Sequence, residues 1–402
     1  MRLAILLAIV GAWFPGLAAA AAAQAAPSAP PFSPVVAAGD FLYLAGMLPT
    51  DEAGRIVSGD IRVQTSRTLD NLAALLARNG SRLDRAAAVT VYLRRASDFA
   101  GMNEAYARAF PKDPPTRTTV VADLAAPDAL VEVSLVAVRD GVERQVIHPA
   151  DWVRSPSPYS YGIKSKDTLF LSGLISRSGR DNTLVPGDMK TQTRTVLQNA
   201  REILGAAGMT LADVAVCRVY ITDTALFQDM NAAYREGFPT APPARATVRA
   251  GLTGSDYLVE ITMLAVKDAA RTVVTPPNAD GTPGRVNPVL SPAIRVGDRL
   301  YLSGMLGSTE ENKGDAGAQT REVMKRLGRA LKAGGLEWND VVDAVVYLPD
   351  LGAFRVMNEA YRQAFPGTLP ARATVGAGLV APDGLVEIML TAVKGEKRFQ
   401  TK

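Results

Sequence analysis

The chain has 402 residues, 48% of them hydrophobic, with 44 Lys and Arg against 40 Asp and Glu and a formal charge of +4. One His and one Cys exclude an intramolecular disulfide and any Cys/His zinc site. The basic residues are spread along the chain, so there is no polybasic stripe of the kind that binds nucleic acid or anionic lipid. Residues 1–26, MRLAILLAIVGAWFPGLAAAAAAQAA, have a short positive start, an apolar run and small-x-small sites, the pattern of a cleavable secretory signal peptide. The mature protein is therefore expected in a bacterial periplasm or outside the cell. No later segment has about 20 uninterrupted apolar residues.

From Phe32-Ser33-Pro34 the chain predicts a strand over Val35–Ala38, a Gly39-Asp40 turn and a second strand, FLYLAGM. Val63, Leu69, Leu72, Leu75 and Leu76 recur at helical spacing over 60–79, with Gly80 to end the helix. AAVTVYL reads as a third strand, and SDFAGMNEAYARAF as a second helix stopped by Pro111 and Pro114. The unit closes with PPTRTTVVADLAAPDALVEVSLVAV, which carries Arg117 and Glu132.

That closing stretch recurs as PPARATVRAGLTGSDYLVEITMLAV, with Arg245 and Glu260, and as LPARATVGAGLVAPDGLVEIMLTAV, with Arg372 and Glu387. The Arg-to-Glu gap is 15 residues each time, and the Arg-to-Arg period is 128 and then 127. This is an internal repeat, with units over 27–146, 147–275 and 276–402, each ordered ββαβαββ. The closing stretch reads as two strands about a Gly/Ser/Asp turn, an antiparallel hairpin that sets Arg245 beside Glu260. The Pro-rich connections GVERQVIHPADWVRSPSP and RTVVTPPNADGTPGRVNP read as linkers, and the tail GEKRFQTK as a mobile end. His148 falls in the first linker, with no counterpart in the other repeats. Cys217 aligns with Val89 and Ala344 in apolar runs and reads as a small buried hydrophobe.

An Arg fork holds a carboxylate in two-pronged fashion, and a nearby Glu can position water and move protons. The same two residues could equally be a plain cross-strand ion pair.

Each repeat resembles a member of the Rid family (reactive intermediate deaminases, also called YjgF or L-PSP endoribonuclease). The likeness rests on Ser172-Gly173 and Ser303-Gly304 after the second strand, and on Gln64-Thr65, Gln192-Thr193 and Gln319-Thr320 opening the first helix. It rests also on Asn103, Asn231 and Asn358 in the second helix, and on the P-x-R-[AT]-T-V start of the closing stretch with its Glu. The resemblance implies an α+β, chorismate-mutase-like unit. Three units in one chain then form an intramolecular pseudo-trimer with a central barrel, outer helices and clefts between repeats. It further implies hydrolysis of small 2-imino acids or enamines to 2-oxo acids and ammonia without cofactor or metal. Arg117, Arg245 and Arg372 would hold the carboxylate, and Glu132, Glu260 and Glu387 would serve water and proton transfer.

Tyr159, Ser172, Gly173, Ser303, Gly304 and Phe32 fall at the family's substrate-binding positions. Repeat 2 matches most completely. Phe32 and Leu290 replace the aromatic hydroxyl in repeats 1 and 3, and Ala45 replaces the Ser in repeat 1. The Asn of the second helix reads as structural. The competing reading is a non-catalytic small-carboxylate-binding or chaperone-like module. A ribonuclease is disfavoured by the want of a basic-aromatic surface or a catalytic His. The expected partners are small 2-imino or 2-oxo carboxylates, with no nucleic acid and no membrane once the leader is cleaved, and the protein is expected to be a monomeric pseudo-trimer.

Overall fold

Asp60, Asp188 and Asp315 each start an 18-residue helix: Ile61–Arg78, Met189–Ala206 and Ala316–Ala333. Each Asp side chain accepts from main-chain N–H groups of the first turn, which otherwise have no partner. The apolar face that repeats along each helix, for instance Leu69, Leu72, Leu75 and Leu76, packs onto a sheet. Shorter helices, Phe99–Ala109, Phe227–Gly237 and Phe354–Gln363, lie beside the long ones. This computed structural model describes residues 31–267 and 271–400, so the predicted leader at 1–26 lies outside the described residues.

Each repeat builds one sheet with the same strand order. In repeat 1 the strand carrying Arg117 (Thr116–Val121) lies parallel to a central strand (Ala86–Leu93). The strand carrying Glu132 (Val131–Val138) lies antiparallel on the central strand's other side. The hairpin strands Phe41–Met47 and Val35–Ala38 follow. Gly39 turns this hairpin at φ 55, in the left-handed region where glycine is at ease. Repeat 2 uses Ala244–Arg249, Val214–Ile221 and Val259–Val266 in the same places, and repeat 3 uses Ala371–Gly376, Val341–Leu348 and Glu387–Val393.

The closing stretch is therefore not a hairpin. Arg245 lies opposite Cys217, and Glu260 lies opposite Tyr220 on the far side of the same central strand. The residues between them are not spent on a tight turn. They leave the sheet to form a two-residue strand on a neighbouring repeat. Gly251–Leu252 pairs with the Arg117 strand, Gly378–Leu379 with the Arg245 strand, and Asp123–Leu124 with the Arg372 strand.

The connections and the tail are also more ordered than their composition predicts. Gln145–Ile147, Thr272–Val274 and Lys397–Gln400 each add an edge strand to the next repeat, the last one back onto Val35–Ala38 of repeat 1. Lys397 fixes the tail through an ion pair to Asp340 at 2.7 Å, and Phe399 packs into an inter-repeat apolar cluster. The three repeats thus close into a ring, the predicted pseudo-trimer. Helices cover the outer sheet faces, and the inner faces pack together as the barrel. Tyr92, Tyr220 and Tyr347, one per repeat, meet inside it, with the last two hydroxyls 3.3 Å apart.

Candidate functional site

Strand alternation sends Arg117, Arg245 and Arg372 outward from the barrel, against the short helix of their own repeat. Arg117 sits over the rings of Tyr106 (4.9 Å) and Phe99 (5.6 Å), Arg245 over Tyr234 (4.7 Å) and Phe227 (5.9 Å), and Arg372 over Tyr361 (4.7 Å) and Phe354 (6.0 Å). All three are buried. Asn231 and Asn358 accept from Arg245 and Arg372 Nη2, each at 2.7 Å. These asparagines are guanidinium anchors, not backbone caps.

The carboxylate facing each Arg comes from the next repeat. Arg117 shares its cleft with Glu260, Arg245 with Glu387, and Arg372 with Glu132. Arg245 and Glu260 thus belong to different clefts, and repeat 2 is not one complete site. It supplies half of each of two. No ion pair within 4.0 Å joins any of the three pairs, which removes the plain ion-pair reading.

Each Glu is held at the main chain of the opposing Arg strand. Thr119 N–H donates to Glu260 Oε1 at 3.2 Å, and the Thr247 and Thr374 N–H groups lie close enough to pull the Glu387 and Glu132 carboxyls down. On its other side the carboxylate lies on a glycine. A Cβ on Gly46, Gly173 or Gly304 would overlap the carboxylate of Glu132, Glu260 or Glu387. Gly173 and Gly304 are thus seats for the acid.

Burial pushes all three glutamates up to about 8, against the opposing pull of the facing Arg and the Thr N–H. Near neutral pH each carboxyl holds a proton. Burial likewise draws the guanidinium groups down, Arg372 to about 10. Several of their donors are buried without a partner among the described residues: Arg117 Nη1, and Nε and Nη1 of both Arg245 and Arg372. Arg117 borders a cavity, and an unpartnered donor there makes an anion site.

The cleft between repeats 1 and 2 has a volume of about 340 Å³, and Arg117, Thr119, Tyr159, Gly173 and Glu260 line it. The Tyr159 ring lies over Arg117 at 5.6 Å. Phe32 takes this place over Arg372 at 5.7 Å, so that cleft has the ring without the hydroxyl.

Ser172 and Ser303 do not offer hydroxyls to a ligand. Ser172 Oγ donates to the Ser160 carbonyl (2.7 Å) and accepts from Arg117 N–H (2.9 Å), and Ser303 Oγ does the same with Ser291 (2.6 Å) and Arg245 (2.8 Å). They clasp one repeat to the next. Cys217 is buried, its thiol pushed up to about 12 by desolvation, and His148 bonds the Trp152 carbonyl at 2.9 Å within the connection.

Thr119, Thr247 and Thr374 are the site residues that sequence reasoning missed. Their signal was present as an Arg-x-Thr spacing in all three repeats, since residues two apart on a strand share a face. Their hydroxyls, too, are buried without a partner among the described residues.

Comparison with known proteins adds family relationships to this geometry. The family model described as Endoribonuclease L-PSP matches residues 23–139, 152–267 and 285–394. A RutC family protein of Sulfurisphaera tokodaii is 46% identical over 110 residues, which cover 27% of this chain and 88% of the relative. A RutC family protein of Pyrococcus horikoshii is 40% identical over 125 residues, 31% of this chain and 99% of the relative. Among solved structures, a chorismatase aligns over 77% of this chain and 93% of its own with a TM-score of 0.51 and 15% identity, a likeness of fold alone.

Proposed function

Because the chain belongs to the endoribonuclease L-PSP (Rid) family, in three tandem copies, we propose that its clefts hydrolyse small 2-imino acids and their enamine tautomers to 2-oxo acids and ammonia. The observation that carries this reading is a guanidinium with an unpartnered donor facing, across a cleft, a buried carboxyl that desolvation pushes up to about 8. Arg117 takes the substrate carboxylate. The Glu260 carboxyl gives its proton to the imine nitrogen, water adds to C2, and the water's proton returns to Glu260. Glu260 then protonates the amine of the carbinolamine. The C–N bond breaks, the nitrogen leaves as ammonia with the bonding pair, and the carbinol O–H proton goes back to Glu260. An enamine enters the same path when Glu260 protonates C3 and removes a proton from nitrogen. General acid–base catalysis of this kind contributes about 10²–10⁴-fold.

The test is ammonia release from 2-iminopropanoate generated in situ by an amino-acid oxidase. Acceleration above the spontaneous rate, lost from the Tyr159 cleft in Arg117→Met, is the expected result. A rate equal to the spontaneous one with several imino acids would sink the proposal. Phe32 and Leu290 favour a second role for the other two clefts: binding a more apolar carboxylate with slower turnover. Arg245→Met and Arg372→Met measure their shares. The same proposal puts the mature protein outside the cytoplasm, on the pattern of residues 1–26. Cell fractionation with N-terminal sequencing of the mature chain checks it.

A further inference from the structure

Arg177 has no part in the reaction above, yet it lines the same cleft as Arg117, Tyr159 and Glu260. It is locked in place. Its Nε donates to Asn182 Oδ1 at 3.0 Å, its Nη2 to the Asn182 carbonyl, and its Nη1 to the Tyr257 hydroxyl. Asn182 stands at φ 58, a left-handed position that Asn tolerates, so the loop tip is shaped to present both of its oxygens to the fork. The guanidinium also lies 6.0 Å from the Tyr257 ring centroid.

All of these acceptors are neutral. Among the described residues no carboxylate lies within 4.0 Å of Arg177. The cleft's charged lining is Arg117, Arg177, Asp256 and Glu260. A fixed cation with no ion-pair partner within 4.0 Å, Asp256 and Glu260 of the same cleft included, suits an anionic ligand group, because its rotamer freedom is already lost before binding.

The other two clefts lack this device. Four residues after the seating glycine, Thr50 and Ser308 stand where Arg177 does, and three before the Glu, Ala129 and Gly384 stand in place of Tyr257. The feature therefore belongs to one cleft and not to the repeat.

We propose that the cleft between repeats 1 and 2 takes a dicarboxylic 2-imino acid, with Arg117 on the α-carboxylate and Arg177 on the side-chain carboxylate. The assignment rests on reading Arg117 as the α-carboxylate anchor. The reaction is unchanged, and the second carboxylate adds binding and orientation only.

The experiment measures kcat and KM for 2-iminopropanoate and 2-iminoglutarate, together with calorimetric binding of pyruvate and 2-oxoglutarate, for the full-length mature protein and for Arg177→Gln. A lost charge-assisted hydrogen bond should raise KM for the dicarboxylic imine, and weaken 2-oxoglutarate, by about 10- to 100-fold, with the monocarboxylic pair nearly unchanged. Tyr257→Phe should move the same quantities in the same direction by less. Equal losses for both substrates, or no preference for the dicarboxylate in the parent protein, would overturn the assignment while deamination stands. If 2-oxoglutarate binds through Arg177 but no imine is turned over, the deaminase reading falls and the dicarboxylate site stands.

Discussion

Glu260 stands at about 8 because burial outweighs both the Arg117 charge and the Thr119 N–H. At neutral pH it holds the proton that the first step donates. As pH rises through about 8 the acid form is lost, so kcat/KM should fall on that limb, and Glu260→Gln should lower turnover by about 10²–10⁴-fold. Stability also falls as pH rises, and on stability the Glu260→Gln substitution acts in the opposite direction. Unfolded, the carboxyl titrates near the model value of 4.5, and folded near 8, so the unfolded chain binds fewer protons between those values. The stability this group contributes is complete below about 4.5 and is lost as pH rises toward 8. Glu260→Gln removes that loss, so thermal melts near pH 8 should show the variant more stable than the parent by a few degrees. A variant less stable there would mean that Glu260 is ionised in the native cleft. The Arg and Glu were legible in the sequence because they recur in phase. Arg177 and Tyr257 were not, because one copy among three reads as noise.

Ser172 shows what an element boundary contributes. Its hydroxyl joins the Arg117 strand of repeat 1 to the hairpin of repeat 2, and it is fully buried. Ser172→Ala leaves the Arg117 N–H without its partner, at a cost of about 1–3 kcal/mol. Urea titration should register that loss with kcat unchanged, since the hydroxyl does not face the cleft. A fall in kcat larger than the loss of folded protein would restore Ser172 to the substrate. Gly173→Ala should do the reverse. Its Cβ overlaps the Glu260 carboxylate, so the acid must swing from its seat and turnover must drop. Helices were legible through apolar spacing and their Gly and Pro stops, and so were the hairpin strands around Gly39-Asp40; the Asp caps were not read. The strand partners of Arg245 and Glu260 were not. A symmetric spacing about a Gly-rich stretch fits a hairpin and a crossover equally well, and the choice is made by the neighbouring repeat that captures Gly251–Leu252.

The ring is closed by exchanges at every joint, each repeat giving its last strand to the next, and at the final joint Lys397–Gln400 gives back to Val35–Ala38. The repeat itself was legible as a period, and the pseudo-trimer followed from three such units together with the family resemblance. The exchanged strands were hidden because they are three or four residues long, too short to show a period, and their order comes from the edge they complete. Ending the chain after Glu396 tests this closure. The cut removes the Lys397 to Asp340 ion pair, which is largely buried, and withdraws Phe399 from the cluster near Phe32. It also uncovers the edge of Val35–Ala38, which invites pairing between molecules. The melting temperature should fall by several degrees, and light scattering should show association that rises with concentration. The cleft of Arg372 and Glu132 lies at this joint, and that of Arg117 and Glu260 lies at another. In an Arg245→Met, Arg372→Met background, turnover by the Arg117 cleft should therefore survive the truncation. An unchanged melting temperature would mean that the tail does not pair in solution. Loss of Arg117-cleft turnover would mean that the three joints hold or open together, so that each cleft depends on the closure of the whole ring.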